Sequence, residues 1–168
     1  MPNDKSGKRD EEEHFDEDSI EEDEDLEEDL EEIDEEDDEE ENALAFEDIR
    51  VFEKTEAQLE GFYEEIGNIA KKKPDDAVNT FKLGFINQML ESANRLLGED
   101  YLPFPDFEKF DPDVLPTASD VVTMLSQYLR SMDKFRKDTT YIELHKYYWY
   151  CSDSAKQTRA KPPKSFEK

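Results

Sequence analysis

Between Asp10 and Glu41, 25 of 32 side chains are carboxylates. The exceptions are His14, Ser19 and five apolar residues: Phe15, Ile20, Leu26, Leu30 and Ile33. The chemistry open to such a run is electrostatic. It attracts cationic surfaces and repels nucleic acid and anionic lipid, and salt screens it over a Debye length of about 10 Å at 0.1 M. Held as a helix, 25 charges over 32 residues would stand about 1.9 Å apart, against roughly 1.7 Å per charge in duplex DNA. Held extended, they would stand about 4.2 Å apart, against roughly 3.4 Å in one strand. In either state the run imitates nucleic acid in charge density, and the partner it implies is a basic protein. Glu22, Asp25, Leu26, Glu28, Leu30, Glu32, Ile33 and Glu36, where acid and apolar residues interleave, are the candidate contacts. No Asp-x-Asp-x-Asp-Gly loop lies in the run, so it offers divalent cations only diffuse attraction. Ser19, flanked by acids, fits an acidophilic kinase, and a phosphate there would add to the existing charge.

Three further groups bear on chemistry. Lys156, Arg159, Lys161 and Lys164 follow the aromatic run Tyr147–Tyr150, and bases beside aromatics can bind single-stranded nucleic acid by charge and stacking. The bland alternative is a core of aromatics with ordinary surface lysines. Tyr101, Phe104, Phe107 and Phe110 punctuate a proline-rich stretch, EDYLPFPDFEKFDPDVLPTA, either as anchors to a core or as a partner surface. Asp106, Glu108, Asp111 and Asp113 in that stretch could hold a small cation or work as a catalytic pair, though loops are commonly acidic. His145 and Cys151 have no identifiable orienting group and make a poor nucleophile–base pair. Phosphate-binding, dinucleotide-binding, zinc-protease and nucleophile-elbow motifs are all absent from the sequence. The expectation is a non-enzymatic protein with no catalytic residues, no metal and no cofactor.

The elements that must carry these groups divide at residue 41. Residues 1–41 net −23 (26 acids, three bases), and residues 42–168 net −4 (22 acids, 18 bases). Five apolar side chains cannot offset an ordering cost of roughly 1–2 kcal/mol per residue, so 1–41 reads as a disordered polyacidic tail. Residues 42–168 hold ten of the eleven Phe, all seven Tyr and the only Trp, enough for one domain, with about the last eight residues frayed.

The expected class is mainly α: a small bundle of three or four helices with a proline-rich crossover loop and a C-terminal β-hairpin. Residues 43–54 suit a helix or a lead-in. A clear helix starts at Thr55 as N-cap, with Gln58 completing a capping box, and ends in Lys71–Lys73 before Pro74. A second begins after Pro74, with Asp75 and Asp76 in its first turn, and stops at a Gly98 C-cap. Val78, Phe81, Phe85, Met89, Ala93 and Leu96 form one stripe on it, and Leu83, Ile86, Leu90 and Leu97 a second. Apolar on two sides, it reads as the central helix. Asn87, Gln88, Asn94 and Arg95 fall to its narrow solvent strip. A third helix starts near Ser119–Asp120 and closes on Arg136 and Lys137. The hairpin pairs Tyr147–Cys151 with Lys156–Lys161 across a Ser-Asp-Ser-Ala turn, and a fourth helix through Tyr141, Leu144, His145 and Tyr148 competes with it.

The function this implies is an interaction or regulatory protein. Its tail docks on a basic partner, most concretely a nucleic-acid-binding protein that it inhibits, chaperones or decoys. One alternative is a structural subunit with the tail as a solubilising spacer. Another is a weak nucleic-acid-binding domain autoinhibited by its own acids. With one cysteine, no signal-peptide pattern and no long apolar run, the expected setting is intracellular: cytoplasmic, or nuclear in a eukaryote, without a membrane span.

Overall fold

A computed structural model describes residues 43–153 and 157–164, so the tail residues singled out above, and Lys156, lie outside the described residues. The described chain is mainly helical. Its elements are α1 (Phe46–Ala70), α2 (Thr80–Tyr101), α3 (Ala118–Asp138), β1 (Thr140–Glu143) and β2 (Lys146–Trp149).

The first helix departs from the expectation. It starts at Phe46, nine residues before Thr55, and Thr55 is buried inside it, so Thr55 caps nothing. The stretch 43–54 is helical because Ile49, Phe52, Leu59 and Ile66 continue one buried face through it. The second helix also starts late. Asn79 is its N-cap, accepting the Lys82 N–H at 2.9 Å, while Asp75 and Asp76 belong to the turn before it. Gly98 has φ +59°, the left-handed value that favours glycine at a helix end, and one more turn follows to Tyr101. α3 opens with a capping box in which Thr117 and Asp120 satisfy each other's backbone N–H, and Arg136 and Lys137 close it.

The starts of α2 and α3 are tied together. The Val78 N–H donates to the Pro116 carbonyl (2.9 Å), the Ala118 N–H to Asp76 (2.8 Å) and the Ser119 N–H to Pro74 (3.1 Å). The two helices therefore begin at the same end of the bundle, and the chain must travel back along α2 before α3 can start. The proline-rich segment 102–117 makes that return.

The core is shared by all three helices. Phe52, Leu59 and Ile66 of α1 meet Leu83, Ile86 and Leu90 of α2 and Val121, Leu125 and Met132 of α3, all at 0% exposure. Since α1 and α3 bury as fully as α2, no single helix is central. On α2 the second stripe is buried, and of the first only Met89 and Ala93 are buried with it, along with Val78 just before the helix. Phe81 and Phe85 face solvent.

The C-terminal stretch is a hairpin, not a fourth helix, but its first strand is not the expected one. β1 pairs antiparallel with β2, Thr140 opposite Trp149 and Glu143 opposite Lys146. Leu144 (φ 48°) and His145 (φ 64°) make the two-residue turn. The expected return strand survives as a shorter edge: Tyr148 bridges Arg159, the Trp149 N–H donates to Thr158 (2.9 Å), and the Ala160 N–H donates to Tyr147 (2.9 Å). Trp149, 1% exposed, presses the hairpin onto α1, with its ring 5.1 Å from Phe52 and its indole N–H 3.3 Å from Glu53. Residues 161–164 are held at the surface. Pro163 is buried, and the Lys164 N–H donates to Asp133 at 2.7 Å. No helix of the described residues is long and apolar enough to cross a membrane.

Candidate interaction surfaces

The aromatics of the crossover mostly turn inward. Phe110 is 7% exposed and stacks edge-on with Phe107 at 5.1 Å, and Phe107 packs in turn towards Tyr128 at 6.4 Å. Tyr101 is half-buried, meets Phe135 at 5.1 Å, and donates its hydroxyl to Asp138 at 3.1 Å. Burial first, and the Asp138 carboxylate second, push its phenol pKa up. Phe104 alone of the four is exposed, at 41%. The segment is thus chiefly an anchored strap.

Its anchors are two asparagines expected on the solvent strip, Asn87 and Asn94, which turn to the strap instead. The Asn87 side chain donates to the Phe110 carbonyl (2.8 Å) and accepts the Phe110 N–H (3.0 Å), as a neighbouring strand would. Asn94 donates to the Glu108 carbonyl (3.1 Å) and accepts the Tyr128 hydroxyl (2.7 Å). The amide is the right group for the task, because it supplies a donor and an acceptor to backbone that has no ladder of its own. Gln88 and Arg95 do face solvent, Arg95 standing 3.6 Å from Asp48.

The C-terminal bases are divided. Arg159 and Lys161 line an open cleft with His145, Lys146, Tyr147 and Glu53. The hairpin turn supplies His145 and the first residue of β2 supplies Lys146, neither of which the sequence groups with the bases. Lys164 lies elsewhere, paired with Glu60 of α1, and this bond raises its ammonium pKa. His145 sits in the turn and Cys151 beyond the far end of β2, so the strand separates them. Among the described residues no group of three His, Cys, Asp or Glu side chains converges as a metal site would require.

The sequence reading passes over the most buried charges among the described residues. Arg136 and Glu56, 2% and 4% exposed, form an ion pair between α3 and α1. The Arg136 guanidinium also lies 5.4 Å from the Phe52 ring centre and 5.5 Å from that of Trp149. Burial pushes the Glu56 carboxyl above its ordinary pKa, outweighing the opposite pull of Arg136. A period-3.6 count flags Arg136 only as a helix-end cation. Its partner is 80 residues away, which local spacing cannot reveal.

Two exposed faces remain. Ile142 (62%) and Leu144 (82%) stand at the hairpin tip, and Phe81 (75%) and Phe85 (43%) stand on α2 with their rings edge to face at 5.0 Å. Set against protein-family models, curated proteins and solved structures, the chain matches none of them.

Proposed function

We propose that this chain is a non-enzymatic interaction protein whose polyanionic N-terminal segment engages a basic partner. A nucleic-acid-binding protein is the most concrete one. The observation that carries this reading is the partition of charge, −23 in residues 1–41 against −4 in the remainder. A charge density close to that of nucleic acid lets the segment compete for the same cationic surface. Apolar residues are too few in the segment to choose among targets, so the folded part supplies the specific contact. The test is a pulldown from native lysate with and without residues 1–41, at two salt concentrations. On this reading deletion weakens capture of a basic protein, and rising salt weakens the intact chain in the same way. Capture unchanged by deletion at low salt would sink it and favour a structural subunit with a solubilising spacer.

A second reading is favoured by the clustering of His145, Lys146, Arg159 and Lys161 around one cleft beside Tyr147. Here the folded part binds single-stranded nucleic acid and the acidic segment competes for the site. Deletion of 1–41 would then create or markedly strengthen oligonucleotide binding, and charge reversal of Lys146, Arg159 and Lys161 would abolish it. Glu53 in the same cleft and the removal of Lys164 to Glu60 reduce its net charge, so it ranks second.

A further inference from the structure

Phe81, Gly84, Phe85 and Gln88 fall at i, i+3, i+4 and i+7, and all four are solvent-exposed on the face of α2 turned away from the core. Aromatic side chains carry roughly 150–250 Å² each, so the two phenylalanines alone leave on the order of 200 Å² in water. Gly84 adds room on this face. Glycine inside a helix costs about 1 kcal/mol relative to alanine, yet a Cβ at Gly84 would meet nothing within 4 Å. Gly61 and Gly67 of α1 are equally open, so the openness does not by itself mark Gly84; what it supplies is room for a second backbone to lie close to α2 at this face.

The strap extends this face. Its bonds to Asn87 (from Phe110) and Val78 (from Pro116) bracket residues 111–115 and set them beside 79–86 of α2. This exposed segment, which carries Val114 (69% exposed), Leu115 (41%), Asp111 and Asp113, therefore runs along one side of the α2 face. The segment 102–117 carries four acids and one base, Lys109. On the opposite flank the cation of Lys82 is taken up by Glu65 at 2.5 Å. An apolar face with an acidic rim suits a partner segment with the opposite pattern.

We propose that the outer face of α2, built by Phe81, Gly84 and Phe85 with Val114 and Leu115 and rimmed by Asp111 and Asp113, is the docking surface for a cationic amphipathic helix of a partner protein. This rests on the reading above that the partner is basic, and it adds where the folded part grips it. Phe81 and Phe85 fill the apolar side of that helix, its lysines or arginines meet Asp111 and Asp113, and Gly84 admits the close crossing.

The test titrates the full isotope-labelled chain at low salt with two probes of equal charge. One is a Lys/Leu peptide of about 18 residues, five turns of amphipathic helix. In the other, serine replaces every leucine. The Lys/Leu peptide should shift amides of 79–88 and 110–116, while the Lys/Ser probe should shift only residues in 10–41. Phe81→Ser with Phe85→Ser should weaken the Lys/Leu shifts on α2 at least about tenfold, a loss near 1.4 kcal/mol. Gly84→Lys, which enters open space, should do the same should the serine pair disturb the fold. The surface is overturned if the variants bind the Lys/Leu peptide as the parent does. It is also overturned if a Glu/Leu peptide shifts the same amides equally, or if these amides shift with protein concentration alone, which would mark self-association. Failure of the Lys/Ser probe to touch 10–41 would instead count against the tail reading. The α2 surface would stand in that case if its Phe-dependent shifts remained.

Discussion

At the scale of residues, the pair Arg136–Glu56 holds the most charge in the least water. A buried ion pair adds little net stability but is costly to break, because the surviving charge has no water to return to. Arg136→Met should therefore lower unfolding free energy by about 3–5 kcal/mol, while Arg136→Met with Glu56→Leu should recover most of that loss. Urea denaturation of the three proteins reads both. The pair also sets a pH dependence. Burial holds the Glu56 carboxyl pKa above its unfolded value, so the folded state keeps a proton that the unfolded state releases. The stability this contributes is full below the unfolded value and is lost as pH rises through the folded one. Relative to Glu56→Gln, the parent should lose stability across that window. A relative gain there would mean that the attraction of Arg136 outweighs burial.

At the scale of elements, the hairpin and the strap show local cost accepted for tertiary position. Leu144 and His145 occupy a two-residue turn with positive φ at both sites, where Asn-Gly is the favoured pair. Replacing them with Asn and Gly should stabilise the protein by about 1 kcal/mol or more, read as a raised urea midpoint. The strap depends on side-chain amides. Asn87→Ala strands the N–H and the carbonyl of Phe110, which should cost roughly 1–3 kcal/mol and speed proteolytic cleavage within 104–116. Reading a loop across 99–118 needed only its prolines, although residues 99–101 and Ala118 prove helical and the loop is 102–117; reading α3 needed only its 3–4 periodicity and cap residues. The start of α1 was missed because Thr55 and Gln58 imitate a capping box in the middle of a helix. The asparagine anchors were missed because an amide facing solvent and an amide facing a backbone strap are identical in sequence.

At the scale of the whole molecule, the excess of negative charge is carried by one part of the chain. Residues 1–41 net −23, whereas residues 42–168, with 22 acids against 18 bases, net only −4. If the proposed division of labour holds, binding to a basic partner should fall steeply with salt in the intact chain. The remainder left by the Phe81/Phe85 face should be far less salt-sensitive, since apolar contact is not screened. Binding isotherms of the intact and 1–41-deleted chains over a salt series would measure both slopes.

The sequence by itself determined the sign and density of the charge, its concentration in the first 41 residues, the helical class and the need for a crossing segment. These are additive properties of composition and short-range periodicity. Only the tertiary structure decided which apolar residues are core and which are surface. Phe81 and Phe85 share one helical stripe with Met89 and Ala93, yet the first two face water and the last two face the bundle. The reason is geometric. α1 and α3 cover only part of α2's circumference, and the strap runs beside the remainder without capping it. The same geometry decided that His145 and Lys146 join Arg159 and Lys161 at one cleft while Lys164 leaves for Glu60. It also brought Glu56 to Arg136 from 80 residues away. Charge counts describe a chain wherever its residues lie, whereas exposure exists only after the helices have packed.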